Sequence, residues 1–205
     1  MHVVWNGYGF REMVTWLSRI THCRGFGVQS PSAYRFIRYV VNEHYPYYAY
    51  ADLREKFPYI GSTDEKLCRL YFRIANYQQP MTFINIGKSD SALVAYINAG
   101  CRKTKVIDYR DIKAVERNKP YDGIPSPLLF RINLKDVHGE FSPCFIDNIP
   151  DDSIMILEGI KGSHAAREIW KSLMNDSRTG VTFDLYYCGI LFFDKRIKQN
   201  YIVNF

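Results

Sequence analysis

One glycine-containing loop and one acid that follows it are the residues of this chain best placed to bind a nucleoside. The loop runs from Asn85 to Ser91, directly after an apolar run that is typical of a strand. Gly87 and Lys88 lie inside it, where backbone N–H groups and a helix N-terminus can meet a ligand's negative charge. Asp108 stands 21 residues after Gly87, at the end of the next predicted strand. An acid in that place commonly binds the two hydroxyls of a ribose.

Each part of this pattern also has a plainer explanation. Gly87 could do no more than turn the chain, and Asp108 could be a solvated acid at a strand end. The loop lacks the spacing of a P-loop, so a nucleotide hydrolase is not indicated. The nucleoside site is therefore a hypothesis that depends on the fold around these residues.

Strands and helices alternate in the part of the chain that carries this loop. Apolar runs predict the strands, and apolar residues at helical spacing predict the helices between them. The predicted strands are Thr82–Ile86, Lys105–Tyr109, Leu128–Asn133, Ser153–Leu157 and a last one at Tyr201–Phe205. Thr63 and Ser163 are predicted to cap two helices, a third helix begins at Ser91, and another follows Asn133 and runs to about Ile149. The alternation indicates βαβ units and a mostly parallel sheet, in which ligands bind beyond the carboxyl ends of the strands.

The segment Val181–Phe193 is too long for one ordinary strand. Gly189 lies inside it, and we expect a bend or turn at that glycine.

Residues 1–60 are aromatic and helical in pattern, and we expect an N-terminal helical segment packed on an α/β domain of residues 61–205. Ser30 and Pro31 suit the start of a helix, with the serine as its cap. Gln29, Ser30 and Tyr34 would contact a substrate if this segment folds over the ligand edge of the sheet. Capping alone is the plainer role for Ser30.

Composition narrows the classes of partner. The net charge is +6, and such a balance favours acidic or phosphate-bearing ligands. The basic residues are spread along the chain, so ordinary solvation explains them and a nucleic-acid partner is not indicated.

The five cysteines form no CxxC pair, which predicts free buried thiols rather than disulfides or zinc. Without a long apolar run or a leader pattern, we expect a cytoplasmic protein that has no membrane span.

Three segments resemble those of a known family. Gly25-Phe-Gly-Val-Gln-Ser-Pro31 resembles the HGFGVHSP-like element of small O-methyltransferase-like proteins of Bacteroidetes. Phe83-Ile-Asn-Ile-Gly87 resembles the first motif of class I S-adenosylmethionine-dependent methyltransferases, and Val181–Phe193 resembles their closing antiparallel strands. The resemblance runs from about Gly25 to the C-terminus.

The resemblance implies a Rossmann-like methyltransferase sheet of strand order 3-2-1-4-5-7-6, with an antiparallel hairpin at its C-terminal end. It implies S-adenosylmethionine as the cofactor and a methyl transfer to the oxygen of a small molecule. The cofactor-binding positions that it implies are Asn85, Gly87, Lys88, Ser91 and Asp108.

Several positions of this family carry other residues here. The acid of the first motif is replaced by Asn85, and its second glycine by Ser91. The fourth strand of the family ends in an acid, where Phe130-Arg-Ile132 stands in this chain. The fifth ends in two acids or in Asp-Asn, where Leu157-Glu-Gly159 leaves Glu158 as one carboxylate beside the substrate. A divalent ion needs more oxygen ligands than that, so we expect no metal.

Only 18 residues separate Tyr109 from Leu128, too few for a helix, a strand and their connections. We therefore expect the family's third strand, which lies at the sheet edge, to be missing.

Two functions stay open, and no catalytic residue can be assigned in either. One is a divergent methyltransferase-like protein with an eroded cofactor site, and the other is a non-catalytic protein that uses the fold for interaction or structure.

Overall fold

The computed structural model describes Val14, 17–19, Thr21, 27–113, Val115, 123–136 and 143–205. Seven strands of these residues form one sheet. They are β1 Thr82–Ile86, β2 Lys105–Tyr109, β3 Leu128–Asn133, β4 Ile154–Glu158, β5 Val181–Asp184, β6 Cys188–Phe192 and β7 Gln199–Ile202. Five helices accompany them: α1 Pro31–Phe36, α2 Tyr48–Lys56, α3 Ser62–Gln78, α4 Ser91–Gly100 and α5 His164–Asn175.

The sheet has the order β2-β1-β3-β4-β6-β5-β7. Strands β2, β1, β3 and β4 are parallel, and β6 runs antiparallel between β4 and β5. This is the expected Rossmann-like methyltransferase sheet with an antiparallel C-terminal hairpin. The described residues between β2 and β3 add no strand, so β2 is the edge, as predicted. Strand β7 pairs parallel with β5 and extends the other edge.

Alternation along the strands divides the core into two layers, because successive side chains point to opposite faces of a sheet. In β1, Phe83 faces a layer formed with α1, α2, α3 and α4, whereas Ile84 and Ile86 face a layer that includes Trp170 of α5. The central strands β1 and β3 are buried on both faces, which explains their continuous apolar runs. The helices of residues 31–56 share the first layer with the sheet, and a π-helical turn at Ile37–Val41 continues α1.

Some local predictions were wrong. Helix α3 begins at Ser62 after Gly61, so Thr63 is not its cap. The helix predicted from Asn133 to Ile149 is replaced, in the described part, by a turn through residue 136 and a short 3₁₀ helix at Pro143–Ile146. Residues 137–142 of that prediction lie outside the described residues.

The turn predicted at Gly189 lies elsewhere. The chain reverses between β5 and β6 at residues 185–187, where Tyr186 has a positive φ of 74°. Gly189 is inside β6, and a Cβ atom built there would lie 2.6 Å from Cη2 of Trp170. The glycine therefore provides room for the indole of α5 rather than a change of direction.

Three cysteines have described side chains, Cys68, Cys101 and Cys188, and all three are free and buried, as predicted. Among the described residues, no helix is long and apolar enough to cross a membrane.

Candidate ligand site at the carboxyl ends of the central strands

The strand order fixes where a ligand site is expected. The chain goes from β1 outward to β2 and then returns to β3 on the other side of β1. In open α/β sheets the crevice at such a switch point, beyond the carboxyl ends of the strands, is the usual place for a ligand. The residues at the ends of β1, β3 and β4 therefore decide what this protein can bind there.

Three polar side chains from these strands share one face of the sheet. Asn85 of β1 pairs in register with Arg131 of β3, and Glu158 of β4 pairs with Asn133, two residues further along β3. Since the side chains of a strand alternate, Arg131 and Glu158 lie diagonally on the same face as Asn85. That face is covered by α3.

Arg131 holds these groups together. Its Nε donates to Oε1 of Glu158 at 2.8 Å, and a second guanidinium nitrogen donates to Oε2 at 2.7 Å. The third nitrogen donates to Oδ1 of Asn85 at 2.8 Å and to the carbonyl of Lys88 at 3.1 Å. The guanidinium thus spans the switch point, and the Arg131 residue is only 7 % exposed.

Two further residues extend the network at its ends. Asn85 Nδ2 donates to Oδ1 of Asp108 at 2.7 Å, which connects the ends of β1 and β2. The hydroxyl of Tyr71, a fully buried residue of α3, donates to Oε1 of Glu158 at 2.8 Å. We call the set Asp108, Asn85, Arg131, Glu158 and Tyr71 the strand-end network.

The electrostatics of the network favour its closed form. Burial opposes the charge of Arg131, but the hydrogen bond and charge of Glu158 outweigh it, so the pKa of Arg131 lies above its ordinary value. Burial, and next the charge of Glu158, raise the pKa of Tyr71 well above its usual range. Tyr71 therefore stays a neutral donor, and Arg131 stays a cation that needs its carboxylate partner.

The glycine loop is also closed by a side chain of the protein. Gly87 has a φ of 116°, a conformation that suits glycine. The Asp136 carboxylate accepts from the backbone N–H of Lys88 at 3.0 Å and from Nδ2 of Asn133 at 2.8 Å. A Cβ atom at position 87 would lie 3.2 Å from Cβ of Asp136. The place where this loop would hold a ligand's negative group is therefore occupied by an aspartate.

The helix that follows the loop is capped in the same way. Asp90 Oδ1 accepts from the N–H of Ala92 at 2.8 Å, at the start of α4. Ser91 is the first residue of α4 and is exposed. The loop and the helix start thus direct two of their N–H groups to acids of the chain itself.

Asp108 is an exposed residue near the end of the edge strand β2 and is the one acid among the predicted cofactor positions. Its exposed part can still accept hydrogen bonds from hydroxyls. Of the positions that the resemblance implies, the structure brings Asn85, Gly87, Lys88 and Asp108 together, with Glu158 joined to them through Arg131.

The predicted substrate positions of the N-terminal segment do not join this network. Ser30 caps α1, with its hydroxyl 3.4 Å from the N–H of Ala33. Its neighbour Ser32 accepts from Arg196, which follows β6. Phe192 at the end of β6 pairs with the first residue of β4, so this contact lies at the amino ends of the parallel strands. Ser30 is therefore held at the opposite edge of the sheet from the switch point.

The other two residues of that prediction, Gln29 and Tyr34, are both exposed. Tyr34 donates its backbone N–H to the carbonyl of Ser30, within the first turn of α1. A substrate role for these residues stays a prediction, and nothing in their contacts supports it.

Sequence reasoning missed Arg131, Tyr71 and Asp136. The signal for Arg131 was present, because a cation inside the apolar run of β3 must be paired when it is buried. The partner acid was separately noted as Glu158, but the register that joins the two is a property of the sheet. Tyr71 fits the apolar stripe of the helix predicted to begin at Thr63, and Asp136 falls inside the helix predicted to follow Asn133.

No group of three His, Cys, Asp or Glu side chains that could hold a metal ion occurs among the described residues. S-adenosylmethionine, which the resemblance implies, does not fit the closed network. Arg131 lies across the switch point, and carboxylates of the chain already satisfy the N–H groups of Lys88 and Ala92. Of the predicted cofactor positions, Asp108 and Gly87 are the ones that still fit a nucleoside.

Comparisons with known proteins agree with the topology. No family model matches this chain, and no curated protein matches it. Among solved structures it is similar to the SAH-bound methyltransferase PaMTH1 of Podospora anserina, with a TM-score of 0.50 and 11 % sequence identity. The match covers 94 % of this chain and 100 % of that one. This chain has a methyltransferase-like fold. At such low identity the likeness shows the fold alone.

Proposed function

We propose that this protein is a methyltransferase-like protein that does not transfer methyl groups and acts by binding a partner or ligand. One observation carries the proposal: the Arg131 guanidinium lies across the switch point, hydrogen-bonded to both Asn85 and Glu158. Opening the crevice for a methyl donor would require this buried pair to separate. Breaking such a pair costs about 3–5 kcal/mol when one charge is left without its partner.

The charges at this edge add to the argument. A sulfonium donor carries a positive charge that would come close to the guanidinium of Arg131. The donor's carboxylate would have to displace the Asp136 carboxylate from the glycine loop, where it accepts two hydrogen bonds. Each exchange replaces one charged group of the protein by a donor group of the same sign, so the exchange offers little gain to offset the cost of opening the network.

A second candidate is an S-adenosylmethionine-dependent transfer to the oxygen of a small molecule, of the kind known in small O-methyltransferase-like proteins of Bacteroidetes. Exposed Asp108 beside the Gly87 loop favours it, because this pair suits the ribose of a nucleoside. In this candidate the donor binds only after Arg131 and Asp136 turn away.

Titration with S-adenosylmethionine and S-adenosylhomocysteine separates the two candidates. A ligand at a hundred times its Kd adds about 2.7 kcal/mol of stability, or roughly 5–10 °C in Tm for a chain of this size. The non-catalytic protein shows no shift with either compound at millimolar concentration. A shift that Asp108→Ala abolishes would contradict the closed switch point on which the proposal depends, and transfer of a methyl group to an acceptor would then establish the second candidate.

A double variant tests whether the side chains of Arg131 and Asp136 are what blocks the crevice. Arg131→Ser combined with Asp136→Ser removes the two side chains that fill the crevice and the loop. If the crevice is only blocked, this variant gains a shift with S-adenosylhomocysteine that the parent chain lacks. Arg131→Ser combined with Asp152→Ser is the matched control, because Asp152 is exposed and far along the chain from the glycine loop.

The compartment is part of the proposal. The buried side chains of Cys68, Cys101 and Cys188 are free thiols, which is typical of proteins kept in reducing surroundings. We propose the cytoplasm, and fractionation of the cell with a tagged chain tests it.

A further inference from the structure

A cavity of about 560 Å³ lies beside α3, away from the strand-end network. Lys66, Arg69 and Arg73 line it, at the spacing i, i+3 and i+7 that places side chains on one face of a helix. Tyr71, which contacts Glu158, falls on the opposite face of α3 at 100° per residue. The cavity and the network are thus separate sites on the two sides of one helix.

The cations of this face differ in how they are neutralised. Glu65 accepts from Arg69 at 2.6 Å and from Arg54 at 2.9 Å, so one acid serves two arginines. Buried Arg73 donates to the carbonyls of Val40 and Val41, at 2.6 and 3.1 Å. These carbonyls end the helical segment that begins with α1, and a cation there is favoured by the helix dipole. Arg73 thus has a structural role.

Lys66 has no such explanation. Among the residues that the structure describes, no acid pairs with its ammonium, which lies 4.5 Å from the ring centre of Phe205 and 5.6 Å from that of Tyr187. Burial first, and then the charge of Arg73, lower the pKa of Lys66. The ammonium is partly removed from water and has three donors to offer, a costly state unless an anion joins it.

One further donor of the cavity wall has no acceptor. Nδ2 of Asn42 is shielded from solvent and has no hydrogen-bond partner within the described part of the chain. Buried donors are nearly always satisfied in folded proteins. Among the described residues of the lining, the one acidic side chain is that of Glu43, and it accepts from the backbone N–H of Tyr45 at 2.7 Å. The wall therefore has an excess of donors over acceptors.

Tyrosine rings form the rest of the wall. Tyr47 contacts Tyr45 and Tyr50 edge to face, with ring centres 5.2 and 5.4 Å apart. Tyr45 is 59 % exposed, and Tyr48 beside it is 91 % exposed. Large rings held near the mouth of a cavity offer faces and edges on which a planar ligand can stack.

We propose that this cavity binds a small aromatic anion, whose carboxylate or phosphate accepts from Lys66 while its ring packs on the tyrosines. The volume falls within the roughly 300–1,000 Å³ typical of small-molecule sites. A small shift of Asn42 would give the anion its free donor as well. The proposal does not depend on whether the switch point binds a methyl donor.

Titration calorimetry with matched pairs of compounds tests the proposal. The anions are 4-hydroxybenzoate and adenosine 5′-monophosphate, and their neutral counterparts are methyl 4-hydroxybenzoate and adenosine. At least one anion should bind at about 1 mM or below, at least roughly tenfold more tightly than its counterpart. Inorganic phosphate, which has the charge but no ring, should bind more weakly than the nucleotide. The better anion identifies the acidic group that the site prefers.

Lys66→Met removes the ammonium and keeps much of the side chain's length. We expect it to weaken anion binding at least roughly tenfold. Lys103→Met, at an exposed turn, is the matched control and should bind as the parent chain does. Since Lys66 is a poorly compensated cation, Lys66→Met should keep or raise the Tm of the ligand-free protein.

Three results would overturn the proposal. One is the failure of both anions to bind at millimolar concentration, and another is equal binding by Lys66→Met. The third is a Tm that falls in Lys66→Met without ligand, because the lysine would then be held for its contact with Phe205.

Discussion

Arg131 of β3 and Glu158 of β4 form a two-point ion pair, with nitrogen–oxygen distances of 2.8 and 2.7 Å. Their side chains are only 8 % and 13 % exposed, so water cannot take the place of either partner. The pair joins two strands at the edge where the fold normally receives a ligand. Removing the pair should therefore change both the stability of the protein and the access of a ligand to the switch point.

Arg131→Met should destabilise the protein by about 3–5 kcal/mol, because it leaves the Glu158 carboxylate buried without its cation. The double variant Arg131→Met, Glu158→Gln should recover a large part of that loss, since no unpaired charge remains. Urea unfolding of the two variants and the parent chain measures the difference. Lys171→Met, which breaks an exposed pair with Glu168, should cost no more than about 1 kcal/mol. Equal losses from Arg131→Met and Lys171→Met would contradict the importance of the buried pair.

Asn85→Asp restores the acid of the family motif but should not suit this structure. Asn85 donates to Asp108 and accepts from Arg131, and an aspartate cannot donate to a carboxylate 2.7 Å away. We expect a loss of about 2 kcal/mol at pH 7 from the broken hydrogen bond and the repulsion between two acids. Unfolding at pH 7 and pH 4 measures it, and the loss should shrink at the lower pH as the acids take up protons. A variant as stable as the parent chain at pH 7 would show that the amide is dispensable.

Gly189→Ala should destabilise the protein by about 1–3 kcal/mol, because the new methyl group enters the space of the Trp170 ring. The control is Gly61→Ala, where the new Cβ would meet only the flexible end of Asp64, at a φ of −64° that any residue adopts. Thermal unfolding of both variants tests the contrast. If Gly189→Ala is neutral, Trp170 is free to move and the close packing of α5 on β6 is wrong.

Stability should decline between pH 9 and pH 12 in part through Cys68. Burial raises the pKa of this thiol to about 12 from 9.0, so the unfolded chain loses the proton first and stability falls as the pH rises. One ionising group contributes at most roughly 1.4 kcal/mol per pH unit. Cys68→Ala should lower the slope of unfolding free energy against pH in this window, whatever its fixed packing cost. An unchanged slope would mean that the thiol ionises equally in both states.

Local sequence patterns were sufficient to predict the elements that depend on interactions between near neighbours in the chain. The strands β1, β2 and β3 were predicted with their observed bounds, because continuous apolar runs between turn residues have few alternatives. Ser163 was predicted as a cap, and its hydroxyl accepts from Ala166 at 3.0 Å. The predictions for Gly189 and for the segment after Asn133 failed, since both depend on what packs against them.

The sequence by itself determined the alternation of strands and helices, the mostly parallel sheet whose described residues hold no strand between β2 and β3, and the glycine loop followed by an acid. These features follow from periodicity and from turn chemistry, which act over a few neighbouring residues. Only the tertiary structure decided that Arg131, between Asn85 and Glu158, closes the switch point. Residues 46 and 27 positions apart in the chain meet there through strand register, which no local pattern contains. The same holds for the cavity at Lys66, whose walls come from three separate parts of the chain.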